Sequence, residues 1–467
     1  MREIYPERAE RAGKNLKIIK KMNFNEFKNK KILILGFGKE GKDSLYFFRK
    51  IFPKKLLGIG DRTEFKRFDQ KTQKLIKKDK NIILELGNNY LQNLKKYDII
   101  IKSPGISFFL PEIKNAQKKG VIITSQTKIF LENCPSRIVG ITGTKGKSTT
   151  TSLIYHILKT AKFKPYLVGN IGNPALSLLL KTKKNNIFVN ELSSHQLLNI
   201  KKSPQISVFL NIYPEHLDYY PSFRDYFEAK TNITKFQTKK DYFVYNKKQK
   251  LINDLAKKTK AKKNPFNSIN IEKIIKIKDI PLLGKFNLEN IKAAIAVAKI
   301  FNISDDFIAK AIKSFKPLPH RLEFIGTYKG IKFYDDAIST IPEATMAAME
   351  TLGDNVQTIL LGGFERNIDF TGLAKKISKS KIKNIILFPT TGQRIWEDIK
   401  KEFKKEKNKK LPKNFFVNNM EEAVKLAYLN TKKGKICLLS TASSSFSIFK
   451  DYEEKGNLFK KYVKKWA

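Results

Sequence analysis

The stretch GITGTKGKSTT, residues 140–150, holds the residue types that bind and cleave a nucleotide. Gly143 and Gly146 free backbone N–H groups to face phosphate oxygens, with Thr144 between them. Lys147 can reach the terminal phosphates, and the Ser148 or Thr149 hydroxyl can ligate Mg²⁺. A strict P-loop needs glycine where Ile141 stands, so the spacing G-x-x-G-x-x-G-K-S is a variant. A second loop, LGFGKEG at 35–41, spaces Gly36, Gly38 and Gly41 as G-x-G-x-x-G. That spacing lets a pyrophosphate approach a helix N-terminus, and Asp61 stands about twenty positions on, where an acidic partner is expected. A tight turn that holds nothing is the competing reading of this first loop. The later loop is expected to cleave a nucleotide and the earlier one only to hold one.

Mg²⁺-dependent phosphoryl transfer needs hard oxygen ligands. Glu191 closes the apolar run NIFVNELSS, at the strand end where open α/β sheets place ligands. His216 in NIYPEHLDYY follows another core strand, and Lys230 in FEAKTNI sits on the helix beyond it. By residue type alone, Glu191 could equally cap a helix, His216 could be an ordinary polar histidine and Lys230 a solvated lysine. His195 and His320 receive the same discount, and His156, inside SLIYHILKT, reads as structural.

These residues need elements to position them. KKILILGFG is a buried strand entering the first loop, DSLYFFRKIF a helix, and NIILELG, YDIIIKSPGIS and GVIITSQ further strands. The pattern restarts at RIVGITG and continues through NIFVNELSS and ISVFLNIYP, with helices in STTTSLIYHILKTA, SFRDYFEAKTNITKF and NLENIKAAIAVAKIF. AKKTKAKKNPFN and KKEFKKEKNKKLPKN read as solvated segments. After SFKPLPHRLE, GIKFYDD, QTILLGG, NIILFPTTG and GKICLLS make a third set of strands. Strands alternating with helices imply parallel, doubly wound sheets. The expected fold is therefore three α/β domains in series, at 1–125, 126–316 and 317–467: a Rossmann-like first domain, a central P-loop ATPase domain and a Rossmann-like third.

With 467 residues and 41% apolar content, the chain can build such cores, which excludes global disorder. No run approaches the length of a membrane span, and the opening MREIYPERAERAGKNLK fits neither a secretory nor a transit leader. Cys134 and Cys437 define no metal spacing or disulfide framework, so a reducing, cytoplasmic setting is expected. The net charge of +49 is spread along the chain in lysines, without interleaved aromatics. That pattern fits compositional bias better than a nucleic-acid interface, and it would still attract anionic substrates.

Taken in order, GITGTKGKSTT, VGNIGNPA, NELSSHQL, FLNIYPEHLDYY, EAKTNI, LPHRLE, YDDAIST and LLGGFERNIDF resemble the Mur ligases of peptidoglycan synthesis, from about residue 30 to the end. The likeness is strongest to those that add glutamate, D-glutamate above all, to UDP-N-acetylmuramoyl-L-alanine. It implies that ATP phosphorylates the substrate carboxylate and that the glutamate amine attacks the acyl phosphate, with two Mg²⁺ ions. It gives Lys147, Ser148 and Thr149 to the phosphate loop, and Glu191 and His216 to the metals. It makes Lys230 a carbamylated ligand, a role that residue type alone does not reveal. Asn170 falls near the reacting end of the substrate and Asn290 near the adenine, while Arg321 and Asp336 reach ATP. Ser103 and Gly105, in KSPGIS, join Gly36, Gly38, Gly41 and Asp61 at the uracil-nucleotide end. A monomer without membrane insertion is implied.

The departures gather where the amino acid should bind. Ala337 and Ile338 follow Asp336 where the family has Ser and then Lys. Arg366 replaces a lysine, Thr441 a proline, Ser447 and Ile448 an Asp-Gln pair, and Tyr452 a phenylalanine. Ser445 and Phe446 keep the positions that grip glutamate. An L-glutamate-adding ligase is therefore an alternative. Folylpolyglutamate synthase lacks the first domain and has glycine where Ser148 stands, and a basic nucleic-acid-binding ATPase is the reading from another class. In the first loop, Lys39 and Glu40 occupy positions that are usually apolar or hydroxylated.

Overall fold

Three β-sheets organise the chain in the computed structural model, which describes residues 24–216, 219–406 and 409–467. The polar opening segment 1–23, expected to hold no leader, lies outside the described residues. The first sheet contains β1 (Ile32–Leu35), β2 (Leu57–Asp61), β3 (Ile82–Leu86), β4 (Ile99–Lys102) and β5 (Ile122–Thr124), in the order β3-β2-β1-β4-β5. All its pairings are parallel. Every residue of β1, ILIL, is buried, as both faces of a parallel sheet demand. The chain then turns at the first glycine loop into α1 (Lys39–Ile51).

The second sheet is also parallel: β6 (Arg137–Thr142), β7 (Pro165–Gly169), β8 (Ile187–Glu191), β9 (Ile206–Phe209), β10 (Tyr242–Tyr245) and β11 (Lys262–Pro265), ordered β11-β10-β9-β6-β8-β7. Its helices include α2 (Lys147–Thr160), α3 (Phe223–Lys235) and α4 (Lys285–Ile300). The third sheet holds β12 (Glu323–Tyr328), β13 (Ile331–Asp335), β14 (Val356–Gly362), β15 (Asn384–Phe388), β16 (Lys413–Phe416) and β17 (Ile436–Leu439), in the order β12-β13-β17-β14-β15-β16. Only its β12–β13 pairing is antiparallel. Its helices include α5 (Gly392–Lys404) and α6 (Tyr452–Lys465).

Two lysine-rich stretches expected to be solvated connectors are partly ordered elements. Within AKKTKAKKNPFN, β11 pairs with β10 as an edge strand. Its exposed Lys262 and Lys263 are the charges that keep an open edge from recruiting another strand. Within KKEFKKEKNKKLPKN, the first residues finish α5, anchored by buried Phe403, and the last begin β16. Lysine content concealed both, because the apolar contacts that hold them are few and widely spaced.

The chain forms two compact units, one of residues up to Ile277 with Glu289–Ile312, the other of Lys278–Leu288 with Lys313–Ala467. In the first unit the two sheets share one apolar core. It runs from Ile32, Phe47 and Phe48 through Leu179 and Leu180 to Phe188 and Phe209. Polar contacts reinforce it: Asp43 Oδ2 accepts from Gln126 Nε2 at 2.8 Å and from Ser177 N at 3.1 Å. Glu40 Oε1 accepts from Gln196 Nε2 at 2.9 Å. Burial pushes both carboxyls above their usual range. In the second unit, two apolar clusters cover the sheet.

Helix α6 passes so close to the end of β13 that only glycine fits at 456. A Cβ there would lie 2.0 Å from His320 Nδ1 and 2.7 Å from Asp335 Oδ2. Gly456→Ala is expected to destabilise the second unit by on the order of 3 kcal/mol, read from the urea midpoint.

Candidate active site

The central loop leaves β6 in the middle of its sheet, between β8 and β9. Gly146 has φ +85°, and a Cβ there would lie 2.2 Å from Asn290 Oδ1, so close approach and left-handed backbone both require glycine. Asn290, on α4, thus stands against the loop itself. Helix α2 opens at Lys147 with Ser148 and Thr149 in its first turn, where free N–H groups and the helix dipole favour an anion. Lys147 Nζ folds back to donate to Gly143 O at 3.0 Å and Thr144 O at 2.9 Å.

Asn211, just past β9, clamps the loop and escaped the sequence reading. Its carbonyl accepts from Thr144 N at 2.9 Å and its Oδ1 from Lys145 N at 2.8 Å, while its Nδ2 donates to Lys145 O at 3.0 Å. Its place at a strand's C-terminal end was the signal that could have found it. Lys145 also pairs with Glu215 at 2.6 Å.

Lys230 lies beneath the loop, 2% exposed on α3. Its Nζ donates to Gly143 O at 3.0 Å and Thr142 Oγ1 at 3.3 Å, and sits 4.9 Å from the Tyr226 ring centre. Burial, reinforced by Lys147, pulls this amine well below the lysine range, against the pull of Glu215 and Glu191. A solvated lysine is thereby ruled out.

Glu191 ends β8 fully buried. Its Oε1 accepts from Asn170 Nδ2 at 2.9 Å, while Oε2 has no hydrogen-bond partner among the described residues. Thr149 Oγ1 is orphaned in the same way. Uncompensated buried oxygens cost free energy, and a carboxylate oxygen left open at a strand end suits a hard cation. His216 has φ +59°, and its ring centre is 5.0 Å from that of His195, which the sequence reading had discounted. Among the described residues, the acids and histidines that converge closely enough to cage a cation are His320, Glu323 and Asp335, in the second unit. Lys460 already bridges that set, 2.7 Å from Glu323 and 3.8 Å from Asp335. Glu191 and His216 are not part of that set.

The first loop is built as a tight turn. Gly36, at φ +91°, lies against Ser103, whose Oγ donates to Gly36 O at 2.8 Å. Asp61 accepts from Phe37 N at 2.6 Å and Thr63 N at 2.8 Å, so its carboxylate anchors the loop backbone. A Cβ at Gly41 would strike Gly36 O at 2.2 Å, whereas one at Gly38 or Gly105 would meet open space. Glu40 turns away toward Gln196, which accounts for an acid at that position.

In the second unit, Asp336 is buried at the end of β13. It accepts from Leu322 N at 3.1 Å and Ser440 Oγ at 2.8 Å, with Arg321 near enough to favour its charge. Lys455 is buried close by, pulled down to about 7 by burial against the attraction of Asp335 and Asp336. Phe446 is 56% exposed and packs edge-on to Phe364, with the Arg366 guanidinium 5.8 Å from its ring centre. Ser445 beside it is buried, its Oγ without a partner among the described residues.

The description of the Mur ligase middle domain matches residues 141–298, that of the Mur ligase glutamate ligase domain 320–443, and that of the MurD-like N-terminal domain 30–125. The UDP-N-acetylmuramoylalanine–D-glutamate ligase of Clostridium tetani is 33% identical over 95% of this chain and 99% of its own length. That of Acetivibrio thermocellus is 34% identical over 94% and 97%. Among solved structures, the UDP-N-acetylmuramate–alanine ligase MurC of Thermotoga maritima aligns with TM-score 0.57 and 17% identity, over 94% of this chain and 100% of that one. The MurF ligase of Thermotoga maritima in complex with ADP aligns with the same score and identity, over 93% and 95%. These two speak to the fold alone. The class is thereby defined as an ATP-dependent ligase on three α/β sheets. Within that class, the chain belongs to the Mur ligase family, whose fold generally works with ATP and Mg²⁺.

Burial pushes the Asp336 carboxyl up to about 6, against the pull of Ser339, Ser440 and the Leu322 N–H. A carboxyl raised on folding adds stability that is complete below its unfolded value and lost as pH rises through the folded one. Asp336→Asn should therefore be more stable than the parent at pH 7.5, by on the order of 2 kcal/mol. The difference should vanish toward pH 4, as followed by thermal unfolding.

Proposed function

We infer that the chain joins D-glutamate to UDP-N-acetylmuramoyl-L-alanine at the expense of ATP, in peptidoglycan precursor synthesis. The carrying observation is the phosphate-type loop of β6 and α2, with buried Lys230 beneath it and the open oxygen of Glu191 at the neighbouring strand end. The near full-length likeness to D-glutamate ligases supplies the substrates.

A carboxylate is a poor electrophile and its phosphate anhydride a good one. ATP phosphorylates the alanyl carboxylate, the glutamate amine attacks, and a tetrahedral intermediate expels phosphate. Gly143, Thr144, Gly146, Lys147, Ser148 and Thr149 would hold the phosphates, and Lys147 would swing from its loop carbonyls to meet the transferred group. Mg²⁺, held by Ser148, Glu191, His216 and a modified Lys230, would neutralise developing phosphoryl charge. Burial lowers the proton affinity of the Lys230 amine, the direction that attack on CO₂ requires, which supports its conversion to a carbamate. Asn170, already bonded to Glu191, would orient the reacting carboxylate. Asn290, Arg321 and Asp336 would contact ATP. Arg366, Ser445 and Phe446 would contact glutamate, with the guanidinium as carboxylate clamp. Gly36, Gly38, Gly41, Ser103 and Gly105 would receive the uracil nucleotide, on a loop set by Asp61.

The division of labour follows the proposed domains 1–125, 126–316 and 317–467. Among the described residues no helix is long and apolar enough to cross a membrane, and a cytoplasmic setting follows from the substrates.

ADP release and product mass with UDP-N-acetylmuramoyl-L-alanine, comparing D- and L-glutamate, test the reading; turnover with L-glutamate alone would reassign the amino acid. Lys147→Ala should lower ADP formation by about a thousandfold or more while sparing nucleotide-sugar binding. Lys230→Ala should lose a similar factor and regain part of it with added formate or acetate; no rescue would argue against the carbamate.

A further inference from the structure

Tyr219 stands between β9 and α3 and has no part in the reaction proposed above. Its hydroxyl reaches the loop that follows β4, in the first sheet. There it accepts from Phe108 N at 3.1 Å and donates to Ile106 O at 3.3 Å. The same Ile106 carbonyl accepts from Lys102 Nζ at 2.6 Å, and Ile106 N donates to Ser103 O at 3.2 Å. Residues 103–109 belong to no strand or helix. Their main-chain groups must therefore find partners elsewhere, and those partners fix where the loop lies. This loop carries Ser103 and Gly105, the residues proposed to receive the uracil nucleotide.

The rest of Tyr219 faces the central sheet's site. Its ring stands edge-on to His195, with centres 4.1 Å apart and planes at 88°. The His195 ring centre is in turn 5.0 Å from that of His216. Tyr219 N donates to His216 O at 3.0 Å, closing the turn in which His216 is held at φ +59°. A non-glycine residue seldom keeps that conformation unless its surroundings impose it. Main chain, ring and hydroxyl of one residue thus run from a histidine proposed to hold Mg²⁺ to the loop proposed to hold the nucleotide.

We propose that Tyr219 is a positioning residue: its hydroxyl sets the nucleotide-receiving loop and its ring sets the His195–His216 pair. One side chain thereby registers the nucleotide end of the substrate against the metal side of the reaction. This rests on the ligase reading above.

Two substitutions in the full-length enzyme separate the two ends. Tyr219→Phe keeps the ring and leaves Phe108 N without its acceptor. It should weaken binding of UDP-N-acetylmuramoyl-L-alanine about tenfold by titration calorimetry, and raise its KM by a similar factor. Its kcat and its Mg²⁺ requirement should stay within about twofold of the parent's. Tyr219→Leu should weaken nucleotide-sugar binding equally and also raise the Mg²⁺ concentration for half-maximal ADP release about tenfold. Unchanged nucleotide-sugar binding in Tyr219→Phe would overturn the proposal. So would an equal change in Mg²⁺ requirement in both variants, or none in Tyr219→Leu. If Tyr219→Leu fails to fold by thermal unfolding, Tyr219→Phe still decides. A parent enzyme that neither binds nor turns over the nucleotide sugar would instead remove the ligase reading, an outcome distinct from any of these.

Discussion

A lysine buried under a glycine loop is the constraint on which the central site depends. Lys230 reaches Gly143 O from α3, and Lys147 reaches the same carbonyl from α2. Two amines of like charge thus share one acceptor in a region where water does not screen them. Burial and the neighbouring Lys147 lower the proton affinity of Lys230, whose amine packs against Tyr226 and the β6 strand end. The remaining features follow from keeping that loop rigid. Asn211 fastens it from the β9 side, Asn290 fills the space beside Gly146, and Glu191 waits at the end of β8 with an oxygen uncommitted. Preorganisation of this kind spares the reaction the cost of arranging dipoles at the moment charge develops.

Much of this was legible in the residues. Continuous apolar runs such as ILIL and IIIK read as strands covered on both faces, and the chain does form buried strands there. A glycine loop between such a run and a helix reads as a phosphate-type turn or as a tight turn that holds nothing. The illegible parts have physical causes. Strand β11 hides among lysines because an edge strand needs apolar side chains on little of its surface. Asn211 hides because its amide bonds the backbone of Lys145, a partner whose side chain leaves no pattern in the sequence. Lys230 looked solvated because charge alone does not tell which face of α3 it occupies; that depends on packing against Thr142 and Gly143, far away in sequence. Asp61 was legible as an important acid, and the structure locates its work in the loop backbone.

The second unit gathers several ionisable side chains out of water: Asp335, Asp336, His320 and Lys455 are all buried. Such groups weaken a fold unless paired, and their gathering in the unit that holds a residue proposed to touch ATP is the pattern expected where a site sets the terms and stability gives way.

The shared core of the first two sheets bears on how the polypeptide is made. The helix after β1 buries Phe47 and Phe48 in a cluster completed by Leu179, Leu180, Phe188 and Phe209. When the first sheet emerges from the ribosome, those partners have yet to be synthesised, and chain growth takes seconds. The nascent first sheet must therefore wait with an uncovered apolar face. Like-charged lysines on its exterior repel other nascent chains during that interval.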